Sequence, residues 1–230
     1  IQTLDHAAAD ITVDGRIEEA TWRSIPYYDN MGVSIPDLGT KAEYATKIRL
    51  FATEKGLFIS ADMEQPPETL VERLTRRDDW VDRDLFGVTI DASGEAKLGY
   101  WFYVALGNSL NDGKVLPERR FQRDWDGPWT AKAARTTTGW SAEMYLPWSM
   151  MDMPQRDGLR NMGFVASRMV SHRNQRYQWP GYGVTTKRYV SAFNRLQMDD
   201  VEPVRQRSVI PFISTTYDEV YNLSLIHISE

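Results

Sequence analysis

The segment Gly139-Trp140-Ser141-Ala142-Glu143-Met144-Tyr145-Leu146-Pro147 is the cleanest period-two stretch in the chain. Trp140, Ala142, Met144 and Leu146 fall on one side, with Ser141, Glu143 and Tyr145 on the other, as in a strand with one buried face. Gly139 marks the turn before it, and Pro147, which has no N–H for a ladder, ends it. The same signature recurs on either side. Lys47-Ile48-Arg49-Leu50, a turn at Gly56 and Leu57-Phe58-Ile59-Ser60-Ala61 read as a hairpin over 46–63. Asp84 to Asp91 places Phe86, Val88 and Ile90 on one face. Tyr100-Trp101-Phe102-Tyr103-Val104 is apolar on both faces, which suits a central strand of a two-layer structure. Met162 to Val170, Ala192 to Met198 and Val209 to Ser214 supply further strands. Helical periodicity is sparse: Ile17 to Trp22, Glu68 to Thr75 and Trp148 to Met151 each hold about a turn or two. The expectation is an all-β chain, an immunoglobulin-like or jelly-roll-like β-sandwich with few short helices.

Composition narrows the function classes. With 230 residues, 42% hydrophobic and 26% charged, the chain can bury a core and is not a disordered polymer. Its 27 Lys+Arg against 32 Asp+Glu give a net charge of −5, the wrong sign for a general nucleic-acid binder. Cysteine is absent, which removes disulfides, thiolate metal sites and Cys nucleophiles. His6, His172 and His227 offer no close pair for an imidazole-held zinc. The longest apolar run, Leu98 to Gly107, is strand length and far short of the ~18 residues of a membrane helix. The sequence opens at Ile1 without a signal-peptide core, so it reads as a mature form or a fragment. Aromatics are the excess: 8 Trp, 11 Tyr and 8 Phe.

The opening Ile11-Thr12-Val13-Asp14-Gly15-Arg16-Ile17-Glu18-Glu19-Ala20-Thr21-Trp22 combines a turn at Asp14-Gly15, acids for a first helical turn, and a Trp able to fold back as a lid. It resembles the signature start of family 9 carbohydrate-binding modules. The hairpin at 46–63, Arg77-Asp78 through Asp91, Trp125 to Trp129, and Gly139 to Pro147 fall in that family's order. The last matches its Gly-Trp-x-x-Glu-x-x-x-Pro pattern. The likeness covers roughly residues 9–200 and is strongest to the N-terminal domain of bacterial proteins of unknown function that continue into an outer-membrane β-barrel. It divides the chain into a sandwich over 1–200, a linker and the truncated start of a following domain over 201–222, and residues 223–230, Leu-Ser-Leu-Ile-His-Ile-Ser-Glu. That last string resembles a translated sequencing adapter, though it also alternates well enough for an ordinary strand.

The resemblance implies a non-catalytic module of an exported bacterial protein, in the periplasm, outer membrane or cell surface, with an oligo- or polysaccharide ligand and a link to carbohydrate catabolism. A downstream membrane-barrel or catalytic domain in the same chain would be its partner. The alternative is a structural accessory domain of the barrel without sugar binding. Sugar-binding members sandwich the ligand between two Trp residues, and Trp80 and Trp179, the latter in a loop after Met162 to Val170, occupy the matching positions. Each could instead pack its own loop. Asp79, Asp82 and Arg173 are candidates for hydroxyl contacts. Binding members also carry an acid on the strand after the first Trp and an Arg on the next. Here those positions are Gly87 and Trp101 or Tyr103. Asp78, Asp79, Asp82 and Asp84 with Arg76, Arg77 and Arg83 read as an Arg–Asp network pinning a loop. No cofactor is expected; a structural calcium, common in the family, is the minor alternative. Asp124-Trp125-Asp126-Gly127-Pro128-Trp129 reads first as a tight turn and only second as an exposed aromatic platform. Glu143 reads as a structural carboxylate partnered by Arg168 rather than half of a glycosidase pair with Asp91 or Asp84.

Overall fold

The computed structural model describes residues 1–117, 119–154, 158–181, 188–199 and 201. The alternating segment Gly139–Pro147 forms strand β10, and its neighbours build two sheets around its apolar side. The strands are β1 (Thr3–Leu4), β2 (Gly32–Ile35), β3 (Thr46–Thr53), β4 (Gly56–Glu64), β5 (Leu85–Asp91), β6 (Gly99–Ala105), β7 (Leu110–Leu116), β8 (Arg120–Gln122), β9 (Thr130–Arg135), β10, β11 (Arg160–Val170), β12 (Gln175–Trp179) and β13 (Asn194–Met198). The smaller sheet runs β1-β3-β4-β10-β9 and the larger β2-β12-β11-β5-β6-β7-β8, with β13 also paired to β11. The chain is therefore the all-β sandwich that the alternation implies.

The core lies between the sheets. Ile48, Leu50, Ile59, Trp140, Met144 and Leu146 come from the smaller sheet, and Phe86, Val88, Ile90, Phe102, Phe164 and Tyr177 from the larger. Strand β6 is apolar on both faces because each face is covered. Tyr100, Phe102 and Val104 enter this core, whereas Trp101 joins Val115, Val165, Tyr189 and Phe193 in a second cluster outside the larger sheet.

The outer face of the smaller sheet is closed by the N-terminal segment. Helix α1 (Ala20–Ser24) buries Trp22 on Phe51, 5.2 Å between ring centroids, over a patch that includes Ile25 and Phe58. One carboxylate holds this lid. Glu143 Oε2 accepts the N–H groups of Asp14 at 3.0 Å and Gly15 at 2.9 Å, and Oε1 accepts Trp22 Nε1–H at 2.7 Å. Gly15 has φ +90°, and a Cβ there would sit 2.7 Å from the Ala133 backbone. The two sequence motifs of the family resemblance are thus two sides of one contact. Arg168 is not the partner of Glu143. It projects from β11, fully buried, and donates to the carbonyls of Ala45 (3.0 Å) and Glu64 (2.7 Å), to Thr46 Oγ1 (2.8 Å) and to Gln65 Oε1 (3.1 Å). Burial pulls its pKa down to about 10.

Several elements differ from the sequence reading. Only a 3-10 turn, Pro67–Thr69, forms where a helix over Glu68 to Thr75 was expected, because the Val71 N–H is taken by Asp84 Oδ2 at 2.9 Å rather than by a preceding carbonyl. Helix α1 starts three residues later than Ile17, and β13 starts at Asn194 because Val190–Ala192 is a 3-10 turn. Residues 124–129 form no tight turn. They carry the chain from the larger sheet to the smaller, with Trp129 buried on Phe102 and Trp125 half-buried on Tyr100. Val209 to Ser214, the 202–222 segment and residues 223–230 lie outside the described residues.

Candidate functional site

On the outer face of the larger sheet two rings lie flat on glycines, Trp101 buried and Tyr103 only partly covered. On β5, Gly87 pairs with Tyr103 of β6, and a Cβ on Gly87 would fall 2.4 Å from Tyr103 Cδ1. The tyrosine ring therefore occupies the space a side chain on β5 would need. Gly113 of β7 stands in the same relation to Trp101, its Cβ position being 2.4 Å from Trp101 Cζ2. Trp101 is fixed by its indole N–H, which donates to the Lys114 carbonyl at 3.1 Å. Trp80, 42% exposed, stands over both rings with centroids 5.8 Å from each.

Opposite Trp80, the 188–193 segment lays Tyr189 on the sheet. Its ring packs edge-on to Phe193 at 5.1 Å, and its hydroxyl bonds Thr89. Burial holds the Tyr189 phenol well above its ordinary pKa, so it stays a hydrogen-bonding neutral group. Phe121 of β8, 49% exposed, borders it at 5.7 Å. Guanidinium groups cap the rings: Arg119 lies 4.9 Å over Tyr189 and Arg123 lies 5.4 Å over Trp80. Tyr103, half-buried, is the floor between the two walls. Gln178 and Ser167, bonded to each other at 3.2 Å, extend the polar side of this face toward β12.

The candidate residues do not all meet here. Trp80 and Asp79 belong to this face, Asp79 as an exposed residue of the Trp80 loop whose carbonyl is held by Arg83 and Asn111. Trp179 does not. It is the last residue of β12 rather than a loop residue, and its cross-strand partner Ala166 faces the core. Its ring stacks on Tyr28 at 5.2 Å and meets Phe164 at 6.2 Å. There it lines a cleft of about 390 Å³ at the sandwich margin with Leu50, Leu196 and Gln197. The larger sheet separates Trp80 from Trp179, so these two rings cannot close on one sugar. Asp82 is bonded to Ser171 Oγ, and Arg173 pairs with Glu43 at 2.6 Å beside Tyr44. Tyr103, Tyr189, Phe121, Arg119 and Arg123 were missed as site residues. The signal that could have found them is the apolar alternation of β6, whose odd residues needed a second covered face.

The Arg–Asp network exists, with other partners than the nearest acids. Arg77 donates to Asp112 at 2.6 Å and to Asp126 at 3.1 Å, and approaches Asp78 at 3.7 Å. Asp78, Asp112 and Asp126 bring oxygens within 4.8 Å of one another. A calcium ion there would compete with the guanidinium for the same oxygens, so this donor set fits an internal cation better than a bound one. Burial raises the pKa of Asp78 and Asp112. Glu143 and Asp91 belong to different sheets: Glu143 faces the N-terminal lid, and Asp91 accepts Ser93 Oγ and the N–H groups of Gly94 and Ala96. They form no carboxylate pair.

The two-sheet architecture is that of family 9 carbohydrate-binding modules. A family 9 module from Caldicellulosiruptor kristjanssonii, solved with cellotriose, is 12% identical with a TM-score of 0.58, covering 93% of this chain and 99% of its own. A family 9 module from the same organism, solved with glucose, is 12% identical with a TM-score of 0.60 over 91% and 98%. A Bacteroides uniformis protein assigned as carbohydrate-binding is 12% identical, TM-score 0.66, over 86% and 96%. At such identity the likeness is one of fold. No protein-family model matches the chain, and no curated protein does.

Proposed function

We propose that this chain is a non-catalytic carbohydrate-binding module whose site is the aromatic face of the larger sheet, between Trp80 and Tyr189 with Tyr103 as the floor. The observation that carries the reading is the pair of rings laid on glycines beneath an exposed Trp80. A pyranose presents flat C–H faces and a rim of hydroxyls. Flat rings would cover the former, and the exposed Asp79 and Arg123 side chains would meet the latter. An aromatic side chain can bury on the order of 150–250 Å², which at about 25 cal/mol per Å² supplies a few kcal/mol per ring and micromolar to millimolar affinity. The rings that a sugar would meet in this reading are Trp80 and Tyr103, with Tyr189, 5% exposed, backing the site. The fold of saccharide-binding neighbours supports it, as does the absence of a facing carboxylate pair between Glu143 and Asp91. An exported bacterial parent engaged in carbohydrate catabolism, with a further domain downstream, fits such a module.

Affinity electrophoresis through gels containing soluble polysaccharides tests the proposal. Retarded migration in at least one polysaccharide is expected. Unretarded migration in neutral and acidic polysaccharides alike would overturn it.

A further inference from the structure

Arginines gather on this face. Arg119, Phe121 and Arg123 alternate along the edge at β8 and all reach the same side, two of them capping Tyr189 and Trp80. Arg176 alternates with Tyr177 and Trp179 on β12, whose side chains pack on the inter-sheet core, so it projects to the outer side of the larger sheet. Guanidinium groups donate and never accept. Among the described residues, several nearby carboxylates are already committed. Asp91 is buried and accepts three donors from its own loop, at 2.7 to 3.0 Å. Asp82 accepts Ser171 Oγ, and Asp112 is buried against Arg77. On β5 the position at the centre of the face is Gly87, which carries no side chain to accept a hydroxyl. Asp79 and Asp82 are the exposed acids near Trp80 in its loop, and Asp124 beside Arg123 is exposed too. Among the described residues neither Arg123 nor Arg176 forms an ion pair, and a guanidinium stacked on a ring still directs its N–H edge outward.

A donor-rich rim suits an acceptor-only group, and a planar fork suits an oxyanion. We infer that the saccharide bound at this face is acidic, carrying a uronate carboxylate or a sulfate ester that the arginines take while Trp80 and Tyr103 take the ring. This rests on the function proposed above and names the ligand class at that site. The whole chain is acidic, so the basic face is local and does not attract polyanions in general.

Calorimetric titration with three ligands tests this: oligogalacturonate, a sulfated glycosaminoglycan oligosaccharide and a neutral cello-oligosaccharide, each in low and raised salt. One acidic ligand should bind at least about tenfold more tightly than the neutral one, and that preference should shrink as salt screens it. The carboxylate and sulfate arms identify which anion is taken. In Arg123→Gln and in Arg176→Gln the preference should fall roughly tenfold, the size expected when a charge-assisted hydrogen bond is lost. Two substitutions on different strands keep the test decisive if one variant misfolds. Equal or tighter binding of the neutral ligand, or a preference that survives both substitutions, overturns the inference and leaves the proposed function standing. No heat with any of the three, from protein whose near-ultraviolet circular dichroism is intact, overturns both.

Discussion

Glu143 shows how much one side chain can decide. It joins a strand to a segment more than a hundred residues earlier, and burial pushes its pKa up to about 7 from an ordinary 4.5, against the lowering effect of three N–H donors. The folded protein then keeps this proton up to about pH 7, while the unfolded chain releases it near 4.5. Because the native state binds more protons in that window, stability is fully present below about pH 4.5 and falls as pH rises through 7. Denaturant midpoints of the wild type should therefore drop between pH 5 and pH 8, and Glu143→Gln should be less stable yet show a shallower drop. Parallel pH profiles for the two proteins would remove Glu143 as the cause. A second residue-scale prediction concerns Gly87. An added Cβ would meet the Phe102 carbonyl at 2.3 Å as well as Tyr103, so Gly87→Ala should cost about 1–3 kcal/mol and lift Tyr103 from the sheet. Glycan affinity should fall with it, and unchanged affinity would show that Tyr103 is not the floor of the site.

At the scale of elements, the informative pieces are those that the sequence disguised. The alternation of β10, β5 and the β3–β4 hairpin was legible because their core-facing positions are large and apolar. Strand β9 was not, since Thr130-Ala131-Lys132-Ala133-Ala134-Arg135 buries only alanines at an edge. Strand β7 hid because Asn111, Asp112 and Gly113 answer Arg83, Arg77 and Trp101 instead of filling an apolar core. Strand β12 hid because Arg176 and Gln178 interrupt Tyr177 and Trp179, so Trp179 read as a loop residue. Its position on the core side gives a discriminating expectation: Trp179→Ala should lower stability by about 2 kcal/mol through lost burial while sparing the distant saccharide face. The Arg77 network makes another. With a guanidinium already among Asp78, Asp112 and Asp126, millimolar calcium should leave the melting temperature unchanged, and Arg77→Ala should lower it. A rise in melting temperature on adding calcium to the wild type would mean that the ion, not Arg77, serves these carboxylates.

For the whole molecule, the sandwich was legible and the site only in part. Period-two patterning reports which residues are buried, so it gave both the layers and the doubly covered β6. It does not report which outer face stays open, because that depends on where the N-terminal lid and the Trp80 loop fold back. Trp80 was therefore recognisable as a candidate, while Tyr103, Tyr189 and the arginines of the β8 edge emerged only once the strands were placed side by side. The two outer faces now carry different duties. The one beneath Trp22 is sealed by Glu143, and the one beneath Trp80 presents rings and guanidinium groups to solvent. The most direct measurement is a calorimetric comparison of wild type, Trp80→Ala and Trp179→Ala, all shown to be folded, against a glycan that the wild type binds. Affinity should fall at least about tenfold in Trp80→Ala and stay within about twofold in Trp179→Ala. Retained binding in Trp80→Ala with loss in Trp179→Ala would place the site at the sandwich margin instead, and contradict a saccharide site on the outer face of the larger sheet.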